Sequence, residues 1–291
     1  MNTEMESVAI QRLKAFEPKD DDMGYYLCYS GGKDSDCIRI LANLAGVRHE
    51  IHNNHTTVDA PETVRYIRSI HGIHIDYPKK SMWQLIVEKH MPPTRLVRYC
   101  CAELKEKGGN GHVAVTGVRW AESRNRKENS DVVKILGKSK QVQSAADDFS
   151  AEYKISNQGG LIMNDDNDES RRLVEHCYRT TKTMVNPIVD WSDKDVWDFL
   201  RHYGCESNPL YQCGFKRIGC IGCPMASKER YVHFARYPKY KELYINAFHK
   251  MVANMPHNRG RWQTGMDVFK WWMEEDPNQM EIDFEEAGVD I

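Results

Sequence analysis

Apolar positions along this chain change period several times, and each change marks an element. Tyr25-Tyr26-Leu27-Cys28-Tyr29 is a short unbroken apolar run, which reads as a buried strand. Ser30-Gly31-Gly32 breaks it, and from Asp34 to Leu44 the residues Cys37, Ile38, Leu41 and Leu44 recur at helical spacing. A second helix follows Pro61 through Val64, Ile67 and Ile70, then a strand from His74 to Tyr77 and a helix from Met82 to Glu88. Val113 to Thr116 reads as another strand, running directly into Gly117-Val118-Arg119-Trp120. From about 127 to 182 polar clusters such as Asn164-Asp165-Asp166-Asn167-Asp168-Glu169 break the rhythm, so an insertion that is partly loop is expected there. Order returns with a strand from Val185 to Val189 and a helix capped by Ser192 that carries Val196, Trp197 and Leu200. The last third reads as helical, and no internal repeat is visible. Strands alternating with helices predict an α/β fold around a mainly parallel sheet. The expected organisation is an N-terminal segment 1–23, one domain over 24–225, and a helical C-terminal region 226–291 with an acidic tail.

Composition narrows the setting. With 291 residues, 41% hydrophobic and 28% charged, the chain is long enough for a large core and ordinary for a globular protein. No apolar run approaches the roughly 20 residues that span a bilayer. Met1 to Asp22 lacks the pattern of a signal peptide, so a cytoplasmic location and no membrane partner are expected. Nine cysteines in such a context argue for metal or buried thiols rather than a disulfide framework. The net charge of −2 conceals an asymmetry: Ala226 to Trp262 carries eight Lys/Arg against two acids, and Gln263 to Ile291 one Lys against nine acids. An anionic partner is therefore not excluded by the neutral average.

The chemistry concentrates first in Ser30-Gly31-Gly32-Lys33-Asp34-Ser35, set between the predicted strand and helix. Two glycines let the backbone turn tightly and aim N–H groups at an anion. The helix that follows adds the positive end of its dipole, the two serines add hydroxyl donors, and Lys33 adds a cation. The spacing is not that of the Gly-x-x-x-x-Gly-Lys-Ser/Thr loop. The bland reading, a glycine turn with a surface lysine, fits a bare Gly-Gly better than this hexapeptide.

This segment resembles the phosphate loop of the PP-loop nucleotide α-hydrolase superfamily. Val58-Asp59-Ala60-Pro61-Glu62-Thr63, Arg98-Tyr99-Cys100-Cys101 and Thr116-Gly117-Val118-Arg119 are similar, in that order, to motifs of its phosphoadenosine phosphosulfate (PAPS) reductase family. So is Trp191 to Tyr211, with Asp195-Val196-Trp197 and Asn208-Pro209-Leu210-Tyr211, ahead of Cys220-Ile221-Gly222-Cys223. The resemblance runs from about residue 24 to 224 and implies a HUP-like doubly wound sheet. It also implies an adenine nucleotide held by Ser30, Gly31, Gly32, Lys33, Asp34, Ser35, Asp59 and Arg119, with Lys33 and Arg119 catalytic.

Four thiolates define a zinc or cluster site. In the iron–sulfur branch of the resembled family an adjacent pair and a distant Cys-x-x-Cys hold a [4Fe–4S] cluster, which here implies Cys100, Cys101, Cys220 and Cys223. Zinc stays open, as does a second set, Cys205, Cys213, Cys220 and Cys223, similar to that of the PP-loop protein of bacterial DNA phosphorothioation. The resemblance implies ATP and Mg²⁺, cleavage between the α and β phosphates, and adenylation of an acceptor for sulfur transfer, with a sulfur-donor protein as a partner. The nucleophilic cysteine of the family's C-terminal Glu-Cys-Gly-x-His-type motif has no counterpart after Cys223, which argues against a self-sufficient reductase. A sulfonucleotide reductase using a thiol from elsewhere, and a nucleotide- and cluster-binding regulatory subunit without turnover, remain alternatives. Lys228, Arg230, Arg236, Lys239, Lys241, Lys250, Arg259 and Arg261, interleaved with aromatics, would suit a nucleic-acid acceptor, against the plainer reading of an amphipathic helix. Oligomeric state is not legible.

Overall fold

Two compact units divide the chain in this computed structural model, which describes residues 3–255 and 262–274. The first unit takes residues 1–54, 62–76 and 108–218, and the second 55–61, 77–107 and 219–291. In chain order the elements are α1 (Thr3–Ala15), β1 (Tyr25–Cys28), α2 (Lys33–Ala45), β2 (His49–Asn54), α3 (Pro61–Ser69), β3 (Ile73–Asp76), α4 (Met82–Glu88) and α5 (Tyr99–Leu104). They continue with β4 (Val113–Val115), α6 (Arg124–Asn129), β5 (Val133–Leu136), α7 (Ser139–Asp148), β6 (Lys154–Ile155), β7 (Leu161–Met163) and α8 (Asp168–Cys177). Then come β8 (Lys182–Val185), α9 (Asp193–His202), α10 (Glu229–Arg236), α11 (Pro238–Asn254) and α12 (Gly265–Met273).

The first unit is an α/β fold on an eight-stranded sheet of order β3-β2-β1-β4-β8-β5-β7-β6. The first five strands pair in parallel, and β5, β7 and β6 join antiparallel. From β1 the chain steps outward through β2 to β3, then returns to place β4 on the other side of β1. That reversal makes the carboxyl ends of β1 and β4 a topological switch point, where doubly wound sheets open a crevice. The strand interiors are fully buried, with Leu27, Val113, Val115, Val133 and Val185 at 0% exposure beside Ile38 and Leu41 of α2. α1, which the apolar pattern did not announce, is tied in by the Tyr25 hydroxyl donating to the Leu13 carbonyl at 2.7 Å.

The 127–182 insertion is loop only in part, and between its loops it supplies α7, α8 and the three antiparallel strands β5, β6 and β7. Its acidic run ends in a capped helix, Asn167 accepting from the Ser170 N–H at 2.9 Å. The strand expected over 185–189 lies instead over 182–185. Pro187 has no N–H for a ladder, and Ile188 and Val189 are buried without being strand. β2, His-Glu-Ile-His-Asn-Asn, is too polar to have been read as a strand.

The second unit is helical. α11 packs with α12 and α4 around an aromatic core, Tyr244 meeting Trp272 at 4.8 Å and Trp83 at 4.9 Å between ring centroids. The Trp272 indole N–H donates to the Pro93 carbonyl at 2.6 Å. Residues 77–107 therefore join the C-terminal helices, and compactness does not change at the single boundary expected near residue 226. The tail beyond Glu274, with Arg259 and Arg261, lies outside the described residues. Among the described residues no helix is long and apolar enough to cross a membrane.

One buried acid in the first unit gives a test. Asp36 of α2 is fully buried and accepts from the hydroxyls of Tyr29 at 2.6 Å and Tyr66 at 3.0 Å. Burial outweighs those hydrogen bonds and pushes its carboxyl from the ordinary 3.8 up to about 6. The folded state then binds this proton more tightly than the unfolded chain, so stability falls as pH rises from about 4 to about 6. We expect a decline on the order of 3 kcal/mol across that window in urea unfolding, flattened in Asp36→Asn. A slope unchanged by the substitution would assign it to other groups.

Candidate functional site

The switch point carries the predicted phosphate loop. Gly31 adopts φ +72°, and a Cβ there would come within 2.9 Å of Ile67, so glycine is required both for conformation and for space. Ser35 locks the turn, its hydroxyl accepting from the Gly32 N–H at 3.1 Å and donating to the Gly32 carbonyl at 2.7 Å. Asn208 braces it from outside, donating to the Gly31 carbonyl and to Thr63 Oγ1, each at 3.0 Å. The Lys33 N–H donates to the Tyr211 hydroxyl at 2.9 Å, and the Tyr211 ring rests edge-on against Trp197 of α9 at 5.0 Å. The Asn208-Pro209-Leu210-Tyr211 motif thus acts on the loop, a role its sequence alone did not disclose.

Arg119 reaches the same place from the end of β4. It is 1% exposed, and its guanidinium donates to Asp34 Oδ1 at 2.7 Å, Asp193 Oδ1 at 2.7 Å and the Trp191 carbonyl at 3.1 Å. Burial works against its charge, but Asp34 and Asp193 outweigh that and hold its pKa above the ordinary value. Lys33 Nζ lies 3.4 Å from Asp34 and 3.5 Å from Asp193. Gly117 explains its own place in Thr-Gly-x-Arg, since a Cβ there would lie 3.0 Å from the Asp34 backbone. The structure therefore brings Ser30, Gly31, Gly32, Lys33, Asp34, Ser35 and Arg119 together in the first unit. It adds Asp193, Asn208 and Tyr211, which sequence reasoning had not marked as site residues. Arg124 is exposed and pairs with Glu128, and Arg126 pairs with Glu122, so neither joins the cluster.

Asp59 belongs to the second unit. Its carboxylate accepts from the Thr56 N–H at 2.8 Å and the Thr56 hydroxyl at 2.7 Å, with His55 at 3.2 Å. Burial alone would raise its pKa, but the hydrogen bonds from His55 and Thr56 and the Lys105 ammonium hold it below the ordinary value.

All four of Cys100, Cys101, Cys220 and Cys223 lie in the second unit. They are free thiols close enough to influence one another electrostatically. A hydrogen bond shared with Cys100 favours the Cys101 thiolate, bringing its pKa down to about 6, while the same bond and burial push the Cys100 thiol up. Cys220 donates to Thr56 Oγ1 at 3.4 Å, and the charge of the Lys105 ammonium is favoured chiefly by Cys220. Phe234, Tyr244 and Trp272 crowd Gly222 between the last two cysteines, and the Tyr244 hydroxyl donates to the Ile221 carbonyl at 3.0 Å. Among the described residues no three His, Cys, Asp or Glu side chains are gathered for a metal ion. A cluster spaces its thiolates more widely than a single ion does. The donor type, four thiols, is that of an iron–sulfur group, and the Lys105 ammonium stands near Cys101, Cys220 and Cys223. The rival set is divided, Cys205 and Cys213 belonging to the first unit and Cys220 and Cys223 to the second. Cys205 sits 3.9 Å from Arg39 in a cleft of about 1150 Å³ shared with Tyr66 and Trp197.

The basic stretch takes the plainer of its two readings in part. Arg230 is 4% exposed, donates to the Trp272 carbonyl at 2.7 Å and lies 5.3 Å from that ring, while Phe234 and Tyr244 are buried. Lys228, Arg236, Lys239, Lys241 and Lys250 are exposed.

A glycine-rich loop and a buried cation pair at the switch point of a mainly parallel sheet define a nucleotide-binding α/β protein. The chain belongs to the phosphoadenosine phosphosulfate reductase domain family, whose sequence model matches residues 24–226. An uncharacterized protein of Methanocaldococcus jannaschii is 26% identical over 228 residues, 77% of this chain and 46% of that protein. The adenosine 5'-phosphosulfate reductase of Allochromatium vinosum is 45% identical over 42 residues, 14% of this chain and 16% of that enzyme. The chain thus spans less than half the length of these relatives. Among solved structures, the PAPS reductase of Candida auris in complex with phosphate aligns at a TM-score of 0.42 and 13% identity, covering 76% of this chain and 95% of that one.

The close packing of Gly117 predicts a cost for one added methyl. Gly117→Ala should displace the start of α2, lower stability by about 1–3 kcal/mol and weaken binding of pyrophosphate measured by calorimetry. Unchanged stability and affinity would show that β4 and α2 have room to separate.

Proposed function

We propose that this protein binds ATP in the Ser30–Ser35 loop and cleaves it between the α and β phosphates, adenylating an acceptor for sulfur transfer. The observation that carries the reading is the convergence of Lys33 and Arg119, through Asp193, at the glycine turn that opens α2. In that reaction an acceptor oxygen or sulfur forms a bond to the α-phosphorus. The bond from that phosphorus to the bridging oxygen breaks, and its electron pair leaves with pyrophosphate. The protein's part is to place the leaving group and neutralise the charge it gains. Lys33 and those loop N–H groups that Ser35 and Tyr211 do not engage would hold the pyrophosphate, Arg119 a neighbouring oxygen, and Mg²⁺ would share the charge. Ser35 and Asn208 hold the loop in shape and so keep the donors aimed before substrate arrives.

Cys100, Cys101, Cys220 and Cys223 would hold a [4Fe–4S] cluster, which when bound supplies a soft surface for sulfur or electrons. Around it, Tyr244, Phe234 and Trp272 exclude water from the Cys-x-x-Cys loop. The likeness to adenosine 5'-phosphosulfate reductase favours a second reading, a sulfonucleotide reductase whose thiol comes from another chain. The exposed Lys228 and Arg236 at the two ends of α10 and the exposed lysines of α11 keep nucleic acid among the acceptors to be tried, together with a sulfur-donor protein.

The deciding experiment uses anaerobically purified protein with ATP and Mg²⁺, PAPS as rival substrate, and tRNA or DNA as acceptor. We expect pyrophosphate release that rises with one acceptor and falls about 100-fold or more in Lys33→Met. Sulfite from PAPS with added thioredoxin, and no release from ATP, would establish the reductase reading instead. Nucleotide binding without turnover under every condition would leave a regulatory subunit.

The cluster has its own measurement. Iron analysis should find about four irons per chain with visible absorption, both lost in Cys101→Ser or Cys220→Ser. The same loss in Cys205→Ser with Cys101→Ser unaffected would transfer the ligands to the second set, and stoichiometric zinc would replace the cluster.

A further inference from the structure

The loop's two cations already have an anion between them, and it belongs to the protein. One oxygen of Asp193 lies 2.7 Å from Arg119 Nη2 and 3.5 Å from Lys33 Nζ. A phosphate oxygen held by both cations would stand in this place. With Asp34 bonded to the same two side chains, the four charges sum to zero, so in the unliganded site the cations offer an anion no net charge and only the start of α2 attracts it.

The two carboxylates differ in how free they are to leave. The Asp34 side chain is 23% exposed, and its backbone is packed under Gly117. Asp193 is the first residue of α9, and its side chain is 73% exposed. It can rotate into water without unburying anything, whereas Arg119, at 1% exposure, cannot follow it. Nor does the helix need Asp193 as a cap, because Ser192 and Asp195 close that end between themselves.

We propose that Asp193 is a specificity-determining residue: its carboxylate occupies the anion position between Lys33 and Arg119, so that single phosphate or sulfate groups are excluded and a polyphosphate chain is selected. The inference rests on the reading of Ser30–Ser35 as the phosphate site. A ligand must displace one bound carboxylate before it touches both cations. A compact anion exchanges one contact for another of similar strength. A polyphosphate brings further charge to the positive end of α2 and overcomes the exchange.

The alternative is that Asp193 merely positions Arg119, and the two roles predict opposite signs. Calorimetric titration with inorganic pyrophosphate and with inorganic phosphate would be run on wild type, Asp193→Asn, Asp193→Glu and Lys33→Met. We expect wild type to prefer pyrophosphate by about tenfold or more. Asp193→Asn should bind phosphate about fivefold tighter, the scale of one exposed ion pair, and narrow that preference, while Asp193→Glu keeps it. Phosphate binding by Asp193→Asn where wild type binds none would support the proposal equally. Unchanged or weaker phosphate binding by Asp193→Asn, alongside wild-type binding that depends on Lys33, overturns the proposal and leaves the loop reading intact. Silence of every variant, or binding indifferent to Lys33→Met, overturns the loop reading and the proposal with it.

Discussion

The buried Arg119 guanidinium is the interaction on which the first unit's site depends. A charge at 1% exposure is tolerated only when its hydrogen bonds are filled, and here Asp34, Asp193 and the Trp191 carbonyl fill them. Those three partners sit at the start of α2, at the start of α9 and in the turn before α9. One side chain from the end of β4 therefore ties the starts of two helices together. The loop is shaped as a consequence, because Lys33 and Asp34 open α2. Placing the phosphate loop and placing Arg119 are one structural event.

The sheet order makes that event possible. β4 returns to the flank of β1 opposite β2, so the segments leaving β1 and β4 emerge side by side. Gly117 lets them approach until its Cα faces the Asp34 backbone directly. The second unit is organised on a different principle. Its core is a cluster of rings rather than aliphatic strands, and the Cys220–Cys223 loop is fastened to it by the Tyr244 hydroxyl on Ile221 and by Gly222 N–H donating to His233 at 3.3 Å.

What the sequence disclosed follows from how locally each feature is encoded. β1, α2, α4 and α9 were legible because a continuous apolar run or a 3.6-residue stripe needs no partner to be recognised. The loop was legible because glycines, serines and a lysine between strand and helix have few other uses. β2 was not, because only Ile51 and Asn53 of its six residues are buried, and its pairing with β1 supplies what the pattern lacks. The strands of the insertion are two to four residues long, too short for a period to show. Asp193, Asn208 and Tyr211 were invisible for another reason. Each acts on the loop from more than 150 positions away, through a single contact that only the fold creates.

The pairing of cations with carboxylates at the loop resolves a conflict between folding and binding. Lys33 and Arg119 must be in place and partly desolvated before a phosphate arrives, since preorganised charge is what stabilises a leaving group. Left unpaired, two such cations would destabilise the unliganded protein by several kcal/mol. Carboxylates remove that penalty but compete with the ligand. Giving the task to one anchored acid and one exposed acid would separate the two demands: Asp34, 23% exposed, would stay with Arg119, and Asp193, 73% exposed, would yield to a ligand of higher charge. A phosphate loop built this way is stable when empty without being permanently closed.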